Sequence, residues 1–281
     1  MPRRLLALAG AIALALAAPA GAAPAPSADP FAAALAAGDA AFAARRDPAR
    51  LAEALGSFRK AQSLRPGHRD AELRLARAEA FRALAEGDPA AARAAWERCA
   101  RAGERALRAL EPDWARAVDE GAPPEAAAAR VGAGGAEALY WLALGSMHAA
   151  QATGYAAVLA VKDAALGMMD RVTALDEGLD AGGPHRALGA WRAALPVAAG
   201  GGATRAEGLF ARARALAPND LLGRVLEAET LAVLLQDAKR FDRLLDEVER
   251  FERSKWPERA PENALAQRRG EALRAKRARL F

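Results

Sequence analysis

Residues 205–220 read RAEGLFARARALAPND and residues 52–68 read AEALGSFRKAQSLRPGH. Ala206, Phe210, Ala213 and Pro218 are spaced by four, three and five residues, and Ala54, Phe58, Ala61 and Pro66 repeat those spacings. Steps of three and four put the small residues and the aromatic on one helical face, and the proline stops the helix. Weaker copies occur at Ala92, Trp96 and Cys99 and at Ala165, Met169 and Val172, where Glu177 takes the place of the proline. The same periodicity continues through Leu221, Leu222, Val225 and Leu226 to Leu234 and Leu235, and runs of β-branched and aromatic residues that would mark strands are missing.

This spacing is that of the second helix of a tetratricopeptide repeat, in which small residues let paired helices approach and the aromatic fills the gap to the next pair. The expected fold is all-α: a tetratricopeptide-like helical hairpin array, an α-α superhelix of about four degenerate repeats plus carboxyl-terminal capping helices. Residues 111–135, which include GAGG at 132–135, fit no repeat.

The amino terminus reads as a secretory signal over residues 1–22. MPRR is followed by an apolar run from Leu5 to Ala18 and by Ala20-Gly21-Ala22 as a small-residue cleavage site. The run is shorter than the roughly 20 residues that span a bilayer. A linker over 23–30 and a helical domain over 31–281 follow, and no later segment reads as a membrane span. The expected location is the periplasm, reached by Sec-type export. The leader does not end in a lipidation cysteine, since the chain's single cysteine is Cys99, which reads as a small buried residue. Removing Arg3 and Arg4 with the leader lowers the formal net charge of +5 to +3, a mild balance that gives no reason to expect nucleic acid as a partner.

Catalytic signatures are missing. His68, His148 and His185 fall in different hairpins, and a Ser-His-Asp context, a metal-binding histidine pair and a nucleotide fingerprint are lacking. The glycines at 182–183 and 200–202 are not preceded by a strand or followed by Lys-Ser/Thr, so they read as helix punctuation, with a helix from His185 to Leu195 and the next from about Thr204. Neither an enzyme nor a cofactor or metal site is expected.

Candidate ligand-cleft residues are Tyr140, Trp141, His148, Gln151, His185, Arg186 and Trp191. Trp141 and His148 fall on similar faces of one helix and could line a cleft between repeats, although aromatics at this spacing usually fill the inter-helix core. His185 and Arg186 could hold an anion near a helix start, against the plainer reading of a solvated first turn. Gln236 and Asn263 read as amides that fix loops through backbone bonds. The basic run from Arg268 to Arg279 reads as the solvated face of a terminal capping helix, with Leu265, Leu273, Leu280 and Phe281 on its buried side.

The segments ALYWLALGSMHAAQATG (138–154), VTALDEGLDAGGPHRALGAWRAALP (172–196), AEGLFARARALAPNDLLGRVLEAETLAVLLQDAKRFDRLLDEV (206–248) and PENALAQRRGEALRAKRARLF (261–281), in this order, resemble the TatT component associated with TRAP transporters. The similarity reaches weakly back through 31–110. The resemblance implies an exported, non-catalytic helical protein that can form a homotrimer, binds the periplasmic solute-binding protein of a TRAP transporter and handles a hydrophobic or amphipathic ligand in a cleft or pore. A general periplasmic scaffold that grips peptides or envelope proteins is the alternative. Better-known members are lipoproteins, a feature this leader lacks.

Overall fold

The computed structural model describes residues 29–281; the expected leader and the first residues of the linker lie outside them. Fourteen α-helices are present among the described residues: α1 Pro30–Ala43, α2 Pro48–Leu64, α3 Arg69–Ala85, α4 Pro89–Leu110, α5 Pro112–Asp119, α6 Pro124–Ala127, α7 Ala136–Thr153, α8 Tyr155–Leu175, α9 Leu179–Ala194, α10 Ala203–Leu216, α11 Leu221–Glu227, α12 Ala238–Glu249, α13 Ala260–Arg274 and α14 Arg277–Leu280. The described residues contain no strand, and none of their helices is long and apolar enough to cross a membrane. α1 opens at Pro30, one residue ahead of the expected domain start.

Asp-Pro pairs set three of the helix starts. Asp29, Asp47 and Asp88 each place a carboxylate oxygen on a first-turn N–H, at 3.1 Å from Phe31, 2.9 Å from Ala49 and 2.9 Å from Ala91. The proline behind each of them gives up no hydrogen bond at that position.

The helices pack as the four expected hairpins, α1 with α2, α3 with α4, α7 with α8 and α9 with α10. The repeat residues sit at their cores: Ala54, Phe58, Ala61, Ala206 and Phe210 are at most 1% exposed, Ala213 is buried, and Pro66 and Pro218 stand exposed in the turns beyond. Trp96 and Cys99 on α4 and Ala165, Met169 and Val172 on α8 occupy the equivalent buried positions. Between the second and third hairpins, residues 111–135 fold as α5, α6 and two 3-10 turns, and the Glu111 carboxylate accepts the Gly132 N–H at 3.0 Å.

The hairpins meet most closely where α4 crosses α7. A Cβ on Gly103 would lie 2.6 Å from the Leu142 nitrogen, and one on Gly145 would lie 2.6 Å from the Ala100 nitrogen. Two glycines, one per helix, therefore let the backbones touch.

The last quarter of the chain closes the array. α11, continued by a π-helical turn over Ala228–Ala232, packs with α12 and α13 around Leu221, Val225, Phe241, Leu244 and Leu273. Asn263 seals this layer with backbone bonds, donating to Asn219 O at 3.0 Å and accepting from Leu221 N at 3.1 Å, and Gln236 donates to Val233 O at 3.0 Å. α13 runs back to the first hairpin, where buried Arg45 donates to Glu262 at 2.6 and 2.9 Å. The Arg45 guanidinium also lies over Phe42, 4.7 Å from its centroid. Both ends of the array thus wall the same inner face.

Candidate ligand cleft

A narrow cleft with a free interior of about 60 Å³ lies on that inner face. Each wall comes from a different helix: Phe42 from α1, Phe81 from α3, Trp96 from α4, Trp141 from α7, Trp191 from α9 and Leu222 from α11. On α7 the lining residues Trp141, Leu144 and His148 follow the three-and-four period that turns one stripe inward. The His148 ring stacks on Trp96 with centroids 4.4 Å apart. Burial there, reinforced by Arg269, pushes the His148 pKa down to about 4, so the ring is neutral near pH 7.

One end of the cleft is polar, and an unusual stretch of backbone builds it. Asp180, Ala181 and Gly182 all take left-handed conformations (φ 46°, 60° and 71°) before α9 resumes at Gly183. The sequence reads as an ordinary glycine-proline helix start; the structure has a left-handed turn instead. Left-handed backbone is costly for a residue with a side chain, and it persists where the surroundings over-determine it. Here Arg186 donates back to Asp180 O at 3.2 Å and Ala181 O at 3.3 Å. Gly183 is pressed so closely that a Cβ would stand 2.5 Å from the Tyr140 hydroxyl.

The turn aims Asp180 at three partners. Tyr140 donates its hydroxyl to Asp180 at 3.0 Å, Arg186 donates at 2.8 Å and Arg259 at 2.7 Å. Arg186 also reaches Asp220 at 3.0 Å, and Arg259 stands 3.6 Å from the second Asp220 oxygen. Two arginines and two aspartates therefore neutralise one another. Burial opposes ionisation of Asp180, yet Arg259 and Arg186 together hold its pKa below the usual carboxylate range. Tyr140 is shifted the other way, well above the usual phenol range, by burial and by the Asp180 charge.

The seven residues predicted for the cleft divide five to two. Tyr140, Trp141, His148, Arg186 and Trp191 line it together. Gln151 lies outside, in the open groove beyond Trp191. His185 turns to Glu177, 3.0 Å away, which also holds Arg212. The solvated first turn expected for His185 and Arg186 is not observed, because both are buried, at 8% and 4% exposure. Glu177 and Asp180, their nearer partners, lie on the turn just ahead of them and are brought into reach by its left-handed backbone, and Arg186 adds Asp220 from 34 residues away, which local sequence does not show. Phe42, Phe81, Asp180, Asp220 and Arg259 were not predicted. Phe42 and Phe81 carried only a packing signal, and the two aspartates and Arg259 carried none.

Cys99 is fully buried, as expected, with its thiol donating to Trp141 O at 3.5 Å. Half of the basic run of the last helices is paired: Arg269 with Glu229, Arg274 with Asp246 at 2.7 Å and Arg277 with Asp242 at 2.8 Å. Of the four residues expected on the cap's buried side, Leu273 is buried, Leu265 and Leu280 are half-buried, and Phe281 is exposed, with its ring edge against Phe241.

No protein of curated function matches the chain. The family profile described as TRAP transporter T-component matches residues 69–281, from the first residue of α3 to the carboxyl terminus. A match over well over half of the chain, on the helices that build the cleft from α3 onward, establishes that this protein belongs to the TRAP transporter T-component family.

Proposed function

We propose that this T-component works in the periplasm as a binding protein, engaging the solute-binding protein of its transporter and holding a hydrophobic or amphipathic ligand in the cleft. The observation that carries this reading is the aromatic cleft itself. It is concave, mostly apolar and closed at one end by oriented polar groups, as small-molecule sites are. Trp191 adds a buried indole N–H with no protein acceptor, a donor that a ligand oxygen could satisfy.

The polar cluster favours binding over chemistry. A carboxylate held ionised by two arginines is a weak general base, and a tyrosine with a raised pKa is a weak acid at neutral pH. The general-scaffold alternative calls for a groove lined by charged and polar residues; four arginines do line this cleft, but Arg186 and Arg259 are matched by Asp180 and Asp220, and three tryptophans and two phenylalanines supply its apolar walls.

The test is capture of partners from periplasmic extract with the protein as bait, alongside its native mass. A retained solute-binding protein and a trimeric mass support the reading. Capture of unrelated envelope proteins by a monomer would overturn it in favour of the scaffold.

A further inference from the structure

A second concavity lies on the outer side of Phe81, between α2, α3 and α13, with a free interior of about 620 Å³. Its floor is apolar: Leu51 and Leu55 are one turn apart on α2, and Leu265 faces them from α13. Five arginines line it, Arg45, Arg46, Arg59, Arg82 and Arg268, against one acidic side chain, Glu86. Glu86 is occupied by its own turn, accepting from Gly87 N at 2.9 Å and Asp88 N at 3.2 Å.

The cations here outnumber the carboxylates that could neutralise them. Arg45 is matched by Glu262. Arg59, Arg82 and Arg98 share a single buried carboxylate, Glu79, with Arg59 at 2.8 Å and Arg98 at 3.2 Å. Arg46 and Arg268 are exposed and form no ion pair among the described residues. Arg82 Nη2 and Arg98 Nε converge on one and the same oxygen of Glu79, Oε2. A surplus of guanidinium groups over an apolar floor, with Arg46 and Arg268 lacking a carboxylate among the described residues, forms a receptor for an anionic group carried on an apolar stem.

We propose that this outer groove is a second ligand site, distinct from the aromatic cleft, which binds an amphiphile with a phosphate head. Phosphate suits the surplus because it brings more than one negative charge and several acceptor oxygens to planar donors that pair with it in parallel. The floor supplied by α2 lies ahead of the residues matched by the family profile. The burial of Arg82, and secondarily its like-charged neighbours Arg98 and Arg59, lowers its pKa, which a bound anion would reverse.

The test uses equilibrium dialysis of the purified protein against dodecyl phosphate below its micelle concentration. Dodecyl maltoside serves as the neutral-headed control and inorganic phosphate as the tail-free one. Saturable binding of dodecyl phosphate, at least tenfold tighter than either control, is expected. Arg46→Glu combined with Arg59→Ala should weaken it at least tenfold, with an unchanged circular-dichroism melt, and Trp191→Ala should leave it intact. Equal binding of dodecyl maltoside, or of inorganic phosphate alone, overturns the proposal, as does wild-type affinity in the arginine variant. Loss in Trp191→Ala with retention in the arginine variant places the amphiphile in the aromatic cleft; that outcome overturns the outer site and leaves the function proposed above standing.

Discussion

His148 is the residue whose chemistry is most altered by its place in the fold. Its pKa of about 4 lies below the ordinary 6.5, so as pH falls the unfolded chain takes up a proton that the folded chain refuses. The contribution of His148 to stability is therefore whole above pH 6.5 and is lost as pH falls toward 4. The Asp180 pKa is depressed too, but from the lower carboxylate range, so its contribution survives through that window and is lost only in stronger acid. The melting temperature should drop on acidification from pH 6.5 to 4, and His148→Gln should flatten that slope while leaving the drop below pH 4. A variant profile parallel to the wild type across the upper window would mean that the ring is freely solvated. The seven predicted cleft residues show how much of the site can be read at this scale. Trp141 and His148 were legible because seven residues are nearly two helical turns. The left-handed turn was not, because Asp180 and Ala181 adopt a backbone that only a tertiary network sustains, and a local reading assigns that freedom to the glycines.

Helix packing was the most legible level, because its signals are periodic and local. Ala54-Phe58-Ala61 and Ala206-Phe210-Ala213 fixed which faces of α2 and α10 turn inward. The α4–α7 contact was less visible, since a glycine inside an alanine-rich helix gives no sign of what it faces. Gly145 faces the Ala100 backbone, whereas Gly56 on α2 has no atom within 4 Å of where its Cβ would be. Alanine at each position adds the same methyl group with opposite results. Gly145→Ala forces the helices apart and should cost about 1–3 kcal/mol. Gly56→Ala gains helix propensity without a clash and should stabilise by about 0.5–1 kcal/mol. Denaturant midpoints for the two variants measure the difference. Equal effects would show that α4 and α7 do not touch through their backbones.

At the scale of the whole molecule, the periodicity predicted an array of hairpins but not that its last helices return to its first. That closure includes one buried pair, Arg45 and Glu262, 217 residues apart and with side chains 5% and 10% exposed. It also separates the two concavities, since Arg45 leans on Phe81, which lines both the aromatic cleft and the outer groove. Taking two charges out of water is expensive, so the pair specifies where α13 docks more than it adds net stability. The two contributions are separable. Glu262→Ala leaves Arg45 buried and unmatched and should cost about 3–5 kcal/mol, whereas Arg45→Met with Glu262→Leu removes both charges and should recover most of that loss. Chemical denaturation of the two variants gives the comparison. If the double variant is as unstable as the single one, the closure is held by the ion pair itself; if it is nearly as stable as the wild type, apolar contacts hold α13 and the ion pair serves to select its position. The second outcome is expected, because Leu265 and Pro261 already place apolar surface of α13 beside Phe81 and Leu51.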